Sequence, residues 1–228
     1  MSLENRIKSL QKRISEAAEK SGRRASDVQL IAVTKTFSAG VVRQAFAAGL
    51  TTFAENYVQE AITKQQDLKD YKMDWHFIGH LQSNKVKLMA DHFSLIHSVD
   101  RISLIEEIAK RTVGCAQKIL LQVNLAREKS KSGCLESELP RLIEVAQKQV
   151  KVELRGLMFM PPLDMKDNDL TEFYRKAYQL GLNMKKYLNP PHSLVELSMG
   201  TSHDFELAIR EGATMVRLGS ILFGERSH

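Results

Sequence analysis

Cysteine is scarce in this chain: Cys115 and Cys134 are the only two in 228 residues. One pair cannot staple a chain of that length, so reduced thiols, small buried or surface residues in a cytoplasmic setting, are expected. Neither lies in a Cys-x-x-Cys unit or beside closely spaced histidines, so a metal site of the zinc type has no support. Long apolar runs are missing too. Nothing approaches the roughly 18 uninterrupted apolar residues of a membrane span, and the charged N-terminus offers no signal-peptide core. Proline is confined to Pro140, Pro161, Pro162, Pro190 and Pro191, and no Pro/Gly/Ser-rich linker divides the chain. One domain over residues 1–228 is therefore expected. A long basic block is also missing. The formal net charge is +6, but lysine and arginine are scattered among 27 acids. That reads as a solvated positive surface, not as a nucleic-acid footprint.

Apolar residues make up 43% of the chain and charged residues 26%, the balance of a globular protein with a sizeable core. At the N-terminus Leu3, Ile7, Leu10 and Ile14 recur every three or four residues, which predicts an amphipathic helix. A pattern then repeats, with short apolar runs separated by longer amphipathic ones. The short runs cover 28–35, 51–56, 74–79, 94–100, 117–124, 152–160, 193–199 and 214–218. Helical periodicity fills 38–48, 57–69, 83–91, 101–111, 136–149, 170–187 and 204–210, with Ser83 as a cap. Eight short strands alternating with helices predict parallel β/α units. A doubly wound sheet would have to be eight strands wide, and no Gly-x-Gly-x-x-Gly follows the first strand. An α/β fold is therefore expected: a single (β/α)8 TIM barrel with an extra N-terminal helix.

In such a barrel the active site lies at the C-terminal strand ends. That places Lys35, Asn56, Gly79, His80, Asn124, Met160 and the stretches 198–202 and 217–220 at the mouth. Lys35 follows the apolar run Leu30-Ile31-Ala32-Val33. Desolvation there favours the neutral amine, a nucleophile toward carbonyls; the alternative is a strand-end lysine whose ammonium reaches water. Strand seven ends in Ser198-Met199-Gly200-Thr201-Ser202, and strand eight in Arg217-Leu218-Gly219-Ser220. Small residues let backbone N–H groups approach an anion, and phosphate sites recur after these two strands in barrels. The alternative is turn glycines and a capping serine. An amine and two phosphate-type loops together suit a ligand carrying an aldehyde and a phosphate. Pyridoxal 5′-phosphate (PLP) is such a ligand, with Arg217 near its pyridine ring.

These residues sit in stretches that match a known family. IAVTKTFSA surrounds Lys35, FAENYVQEA covers 53–61, WHFIGHLQSNK 75–85 and IHSVD 96–100. QVN at 122–124, KSG at 131–133, RGLM at 155–158, ELSMGTSHDFELAI at 196–209 and MVRLGSILFG at 215–224 continue the series. The chain resembles the pyridoxal phosphate homeostasis proteins (the YggS/PROSC family), which have the barrel of the alanine racemase N-terminal domain. The resemblance implies that Lys35 forms the Schiff base with PLP and that Asn56 lines the pocket. It implies that Ser198, Gly200, Thr201, Ser202, Gly219 and Ser220 cradle the phosphate, and that Arg217 faces the pyridine nitrogen. Lys131 matches a secondary PLP contact. Two positions depart from the family pattern: Ala54 stands where glycine is usual, and Thr201 where methionine is usual.

Arginine at the ring nitrogen has a chemical consequence. Guanidinium has only donors, so the nitrogen must accept and stays unprotonated, which makes PLP a poor electron sink. Racemases of this fold add an acid/base from a second domain, and no such domain is expected after Phe223. Tyr57 is read as a packing residue, His80 as a rim residue and His76 as a satisfied barrel histidine. No catalytic residue is assigned. The expected function is therefore PLP homeostasis: a vitamin B6 carrier that holds PLP on Lys35 and buffers it or delivers it to apo-enzymes. A slow fold-type-III amino-acid racemase is the alternative, and a phosphate-binding barrel without PLP the third reading. A monomer is expected, with at most a weak dimer.

Overall fold

The computed structural model describes residues 2–89, 91–128 and 131–224. Each of the eight apolar runs contains a strand: β1 (Gln29–Val33), β2 (Thr52–Glu55), β3 (Asp74–Phe77), β4 (Leu95–Val99), β5 (Gln117–Val123), β6 (Val152–Phe159), β7 (Glu196–Ser198) and β8 (Met215–Leu218). All neighbours pair in parallel, and β8 returns to β1, so the sheet closes into a barrel in chain order. The helices are α1 (Leu3–Glu19), α2 (Ala39–Ala47), α3 (Val58–Asp67), α4 (Ile102–Arg111), α5 (Leu139–Gln147), α6 (Asp167–Met184), α7 (Phe205–Arg210) and α8 (Ser220–Phe223). The expected barrel with an extra N-terminal helix is the observed fold. Among the described residues no helix is long and apolar enough to cross a membrane.

The strands read as nearly continuous apolar runs because both faces are covered. Alternate residues serve two separate cores. Ile31, Val33, Ala54, Leu95, Leu120, Met158 and Met215 pack inside the barrel. Ala32, Phe53, Phe77, Ile96, Ile119, Leu157 and Val216 pack outward against the helices. The amphipathic stripe of α1 buries Ile7, Leu10, Ile14, Ala17 and Ala18, and the helix lies against α7 and α8. Arg13 on α1 donates to Glu206 on α7 at 2.9 Å.

Three expected elements differ. The helix expected over 83–91 is a short 3-10 segment, Ser83–Leu88, and Gln82 occupies the cap position instead of Ser83. Ser83 and Asn84 are weak helix formers at its start, and no side-chain cap bond offsets them. The strand expected over 193–199 is regular only at Glu196–Ser198, although Ser193 N still donates to Leu154 O of β6 at 2.8 Å. The helix expected over 170–187 begins earlier, at Asp167, and tightens into a 3-10 turn, Lys185–Tyr187.

Candidate functional site

Lys35 lies two residues beyond β1, half-buried, in the inward phase of Ile31 and Val33. The chain around it is held from behind. Lys64 on α3 is almost fully buried and donates to Thr34 O, Glu55 Oε1 and Glu60 Oε1, each at 2.6 Å. The Thr34 hydroxyl donates to the same Glu55 oxygen at 2.6 Å, and Glu60 accepts from Thr36 N at 2.6 Å. Thr34 C=O and Thr36 N–H belong to the two peptide groups that flank the Lys35 Cα. Both are therefore clamped by one ion triad, with Lys64 and Glu55 buried and Glu60 partly exposed. Thr36 sits at φ 69°, in the left-handed region that costs a β-branched residue about 1 kcal/mol or more, and the Glu60 bond holds it there. Burial pushes the Glu55 carboxyl up, and the hydrogen bonds from Lys64 and Thr34 offset only part of that.

Asn56 follows β2 at the mouth, beside a cavity of about 260 Å³ lined by Gly79, His80, Gln122, Lys131 and Met160 among others. Gly79 is needed there, since a Cβ at this position would lie 2.0 Å from Asn56 O. The Asn56 Oδ1 is buried without a partner. His80 is exposed and bonds Ser132 at 2.9 Å, which is the rim role expected of it. Lys131 pairs with Glu128 at 2.7 Å and donates to Pro161 O at 2.9 Å, so its ammonium is committed on the mouth wall. Asn124 binds its own loop, donating to Glu128 O at 2.8 Å and accepting from Glu128 N at 3.1 Å. Tyr57, expected to pack, is 59% exposed because it stands at the start of α3 outside both cores. A larger cleft of about 660 Å³ lies beside the starts of β7 and β8, at the end of the barrel away from Lys35.

The loops after β7 and β8 are tied together. Ser202 Oγ accepts from Gly219 N at 3.2 Å and from Ile221 N at 3.4 Å. Gly219 in turn backs onto β1, where an added Cβ would lie 3.5 Å from Val33 Cβ. Gly200 has φ 92°, and an added Cβ would lie 2.7 Å from Ala208 Cβ, so only glycine lets this loop descend onto α7. Thr201 turns away from the mouth: its N–H and hydroxyl donate to Asp204 Oδ1 at 2.6 and 3.0 Å. The other Asp204 oxygen accepts from Tyr174 at 2.7 Å. Ser220 opens α8 and is exposed. Ala54 points into the barrel interior, where its methyl packs with Ile31 and Val33.

Arg217 is 4% exposed. It donates to Ser198 Oγ at 2.6 Å and to Phe159 O at 2.9 Å. Burial lowers its pKa, and Tyr174 and Asp204 oppose that. Lys35, Ser202, Gly219, Ser198 and Arg217 thus occupy adjoining strand ends of β1, β7 and β8. Sequence reasoning missed Glu55, Glu60 and Lys64. Glu60 and Lys64 stand four apart on a helix, but nothing in that spacing says the pair is buried. It also missed His97, whose position in a buried strand was the available signal.

The sequence profile of the family described as "Alanine racemase, N-terminal domain" matches residues 6–227. A pyridoxal phosphate homeostasis protein of Aquifex aeolicus is 40% identical over 225 residues, covering 98% of this chain and 98% of its own. That of Pseudomonas aeruginosa is 44% identical over 220 residues, covering 95% of this chain and 92% of its own. Among solved structures, PipY of Synechococcus elongatus with PLP bound superposes with a TM-score of 0.86 at 37% identity, covering 98% of this chain and 100% of that one. Barrel closure, strand order and near full-length identity agree, and the chain belongs to the pyridoxal phosphate homeostasis protein family, built on the barrel of the alanine racemase N-terminal domain.

Proposed function

We propose that this chain binds PLP reversibly at the barrel mouth, holds it as a Schiff base on Lys35, and buffers it or passes it to apo-enzymes. The observation that carries this reading is the Ser202 tie. It joins the two small-residue loops and sets Gly219 against Val33, two residues before Lys35. An anion cradle and an amine thereby adjoin at neighbouring strand ends. The binding of PLP by PipY, at 37% identity, supports the same assignment.

The residues present fit the group. Asn56 Oδ1, buried without a partner beside the mouth cavity, would accept from a ligand donor. Ser202, Gly219 and Ser220, with the N–H groups of their loops, would hold the phosphate, while Ser198 and Gly200 set the loop path and Thr201 shapes it through Asp204. PLP supplies an aldehyde for the Lys35 amine. Arg217 offers donors alone, so a ring nitrogen facing it accepts and stays unprotonated, which favours holding over turnover.

Transfer tests the reading. Protein loaded with PLP and freed of excess should restore an apo-aminotransferase, and should not convert free amino acids. Amino-acid racemisation by the loaded protein would favour the enzyme reading, and failure to restore the apo-enzyme would remove delivery.

A further inference from the structure

A buried polar chain crosses the barrel interior below the mouth. Arg217 Nη1 donates to Ser198 Oγ at 2.6 Å. Ser198 Oγ lies 2.9 Å from His97 Nδ1, and His97 Nε2 lies 3.0 Å from His76 Nδ1. His76 Nε2 lies 3.1 Å from Asp74 Oδ2, and the Ser94 hydroxyl donates to the other Asp74 oxygen. Ser198 and His97 are fully buried and His76 nearly so, whereas the Asp74 side chain is 40% exposed at the start of β3, the rim opposite the mouth.

The donors fix a direction. Guanidinium cannot accept, so Ser198 Oγ accepts from Arg217 and has one proton of its own to give. Its nearest acceptor is His97 Nδ1. A neutral His97 then carries its proton on Nε2 and gives it to His76 Nδ1. His76 carries its own proton on Nε2 and gives it to the Asp74 carboxylate. In this order every buried polar atom of the chain is paired, as a dry interior demands. The reverse order needs an imidazolium at His76 and leaves the Ser198 hydroxyl proton buried without an acceptor. Burial above all, and the Arg217 charge, disfavour a proton charge on His97. The remaining charges near the chain are Lys118 beside Asp74, and Asp204 with Tyr174 beside Arg217.

We propose that Ser198, His97, His76 and Asp74 form a one-way donor chain that positions Arg217, so that a carboxylate at the far rim sets the guanidinium's placement at the mouth. These four are positioning residues. The chain itself is independent of any ligand; only its effect on binding rests on the PLP reading above.

The test uses the full-length protein labelled with 15N-histidine. Long-range 1H–15N spectra of the unliganded protein should show His76 and His97 neutral and protonated on Nε2 at neutral pH. An Nδ1 proton on either ring, or an imidazolium at His76, overturns the order. The second arm compares His97→Leu with His97→Gln. Glutamine restores an acceptor toward Ser198 and a donor toward His76; leucine restores neither. His97→Leu should weaken PLP binding roughly tenfold, and His97→Gln should stay within about threefold of wild type. Equal affinities in the two variants overturn the positioning role. If His97→Leu does not fold, Asp74→Asn at the exposed end replaces it, and unchanged His97 15N shifts in that variant overturn the coupling. If wild-type protein fails to bind PLP, the PLP reading falls, and the tautomer spectra still decide the chain.

Discussion

Replacing Lys64 with methionine removes one ammonium and keeps the length of the stem. Lys64 is 5% exposed and Glu55 0%, so this pair is screened little by water. Removing one partner of such a buried pair leaves the other charge uncompensated, which costs about 3–5 kcal/mol. Glu55 can escape part of that by taking a proton, so the lower end, about 3 kcal/mol, is expected near neutral pH. For a domain of this size that lowers Tm by about 6–12 °C and leaves a folded protein. The pH dependence carries the sharper test. The Glu55 pKa is already raised in the folded state, first by burial. Its ionisation therefore weakens the fold as pH rises through that raised value, and loss of Lys64 raises it further. Urea unfolding of Lys64→Met should match wild type most closely in acid and fall behind as pH rises toward neutrality. The variant should also react more slowly at Lys35, because Thr34 C=O loses its 2.6 Å bond beside that residue. A destabilisation that is constant with pH, or that grows toward acid, would refute the reasoning.

Three further outcomes follow from the same geometry. Gly200→Ala places a Cβ 2.7 Å from Ala208 Cβ at φ 92°, so it should lose about 1–3 kcal/mol in denaturant unfolding and bind phosphate-bearing ligands more weakly. Ser202→Ala cuts the tie between the two loops; PLP affinity by fluorescence titration should fall roughly tenfold while stability changes by about 1 kcal/mol. Arg217→Lys keeps the charge but cannot reach Ser198 and Phe159 O with a planar fork, so stability should drop by about 1.5–3 kcal/mol and the PLP absorption spectrum should shift.

Much of this was legible in residue order. The barrel followed from eight apolar runs at regular spacing, because parallel strands buried on both faces carry that pattern wherever they occur. Lys35 and the two small-residue loops followed from the rule that barrel chemistry sits at strand ends. The supporting groups were harder to read. Glu55 and Lys64 are nine positions apart and meet only when α3 folds back on β2, and both residue types are usually exposed. Nothing in the spacing of Thr201 and Asp204 announces that this carboxylate accepts from both the N–H and the hydroxyl of Thr201. His97 on β4 and Ser198 on β7 are far apart in the sheet order, and only barrel closure brings Nδ1 and Oγ to 2.9 Å. Local pattern reports periodicity; pairings across the interior depend on closure.

The central claim is that Lys35 carries PLP. Borohydride reduction of the protein incubated with PLP, followed by peptide mass mapping, tests it directly. A pyridoxyl group on the peptide containing Lys35, absent in a folded Lys35→Ala variant, is the expected result. Protein that stays unlabelled, or labelled at another lysine alone, would contradict the account.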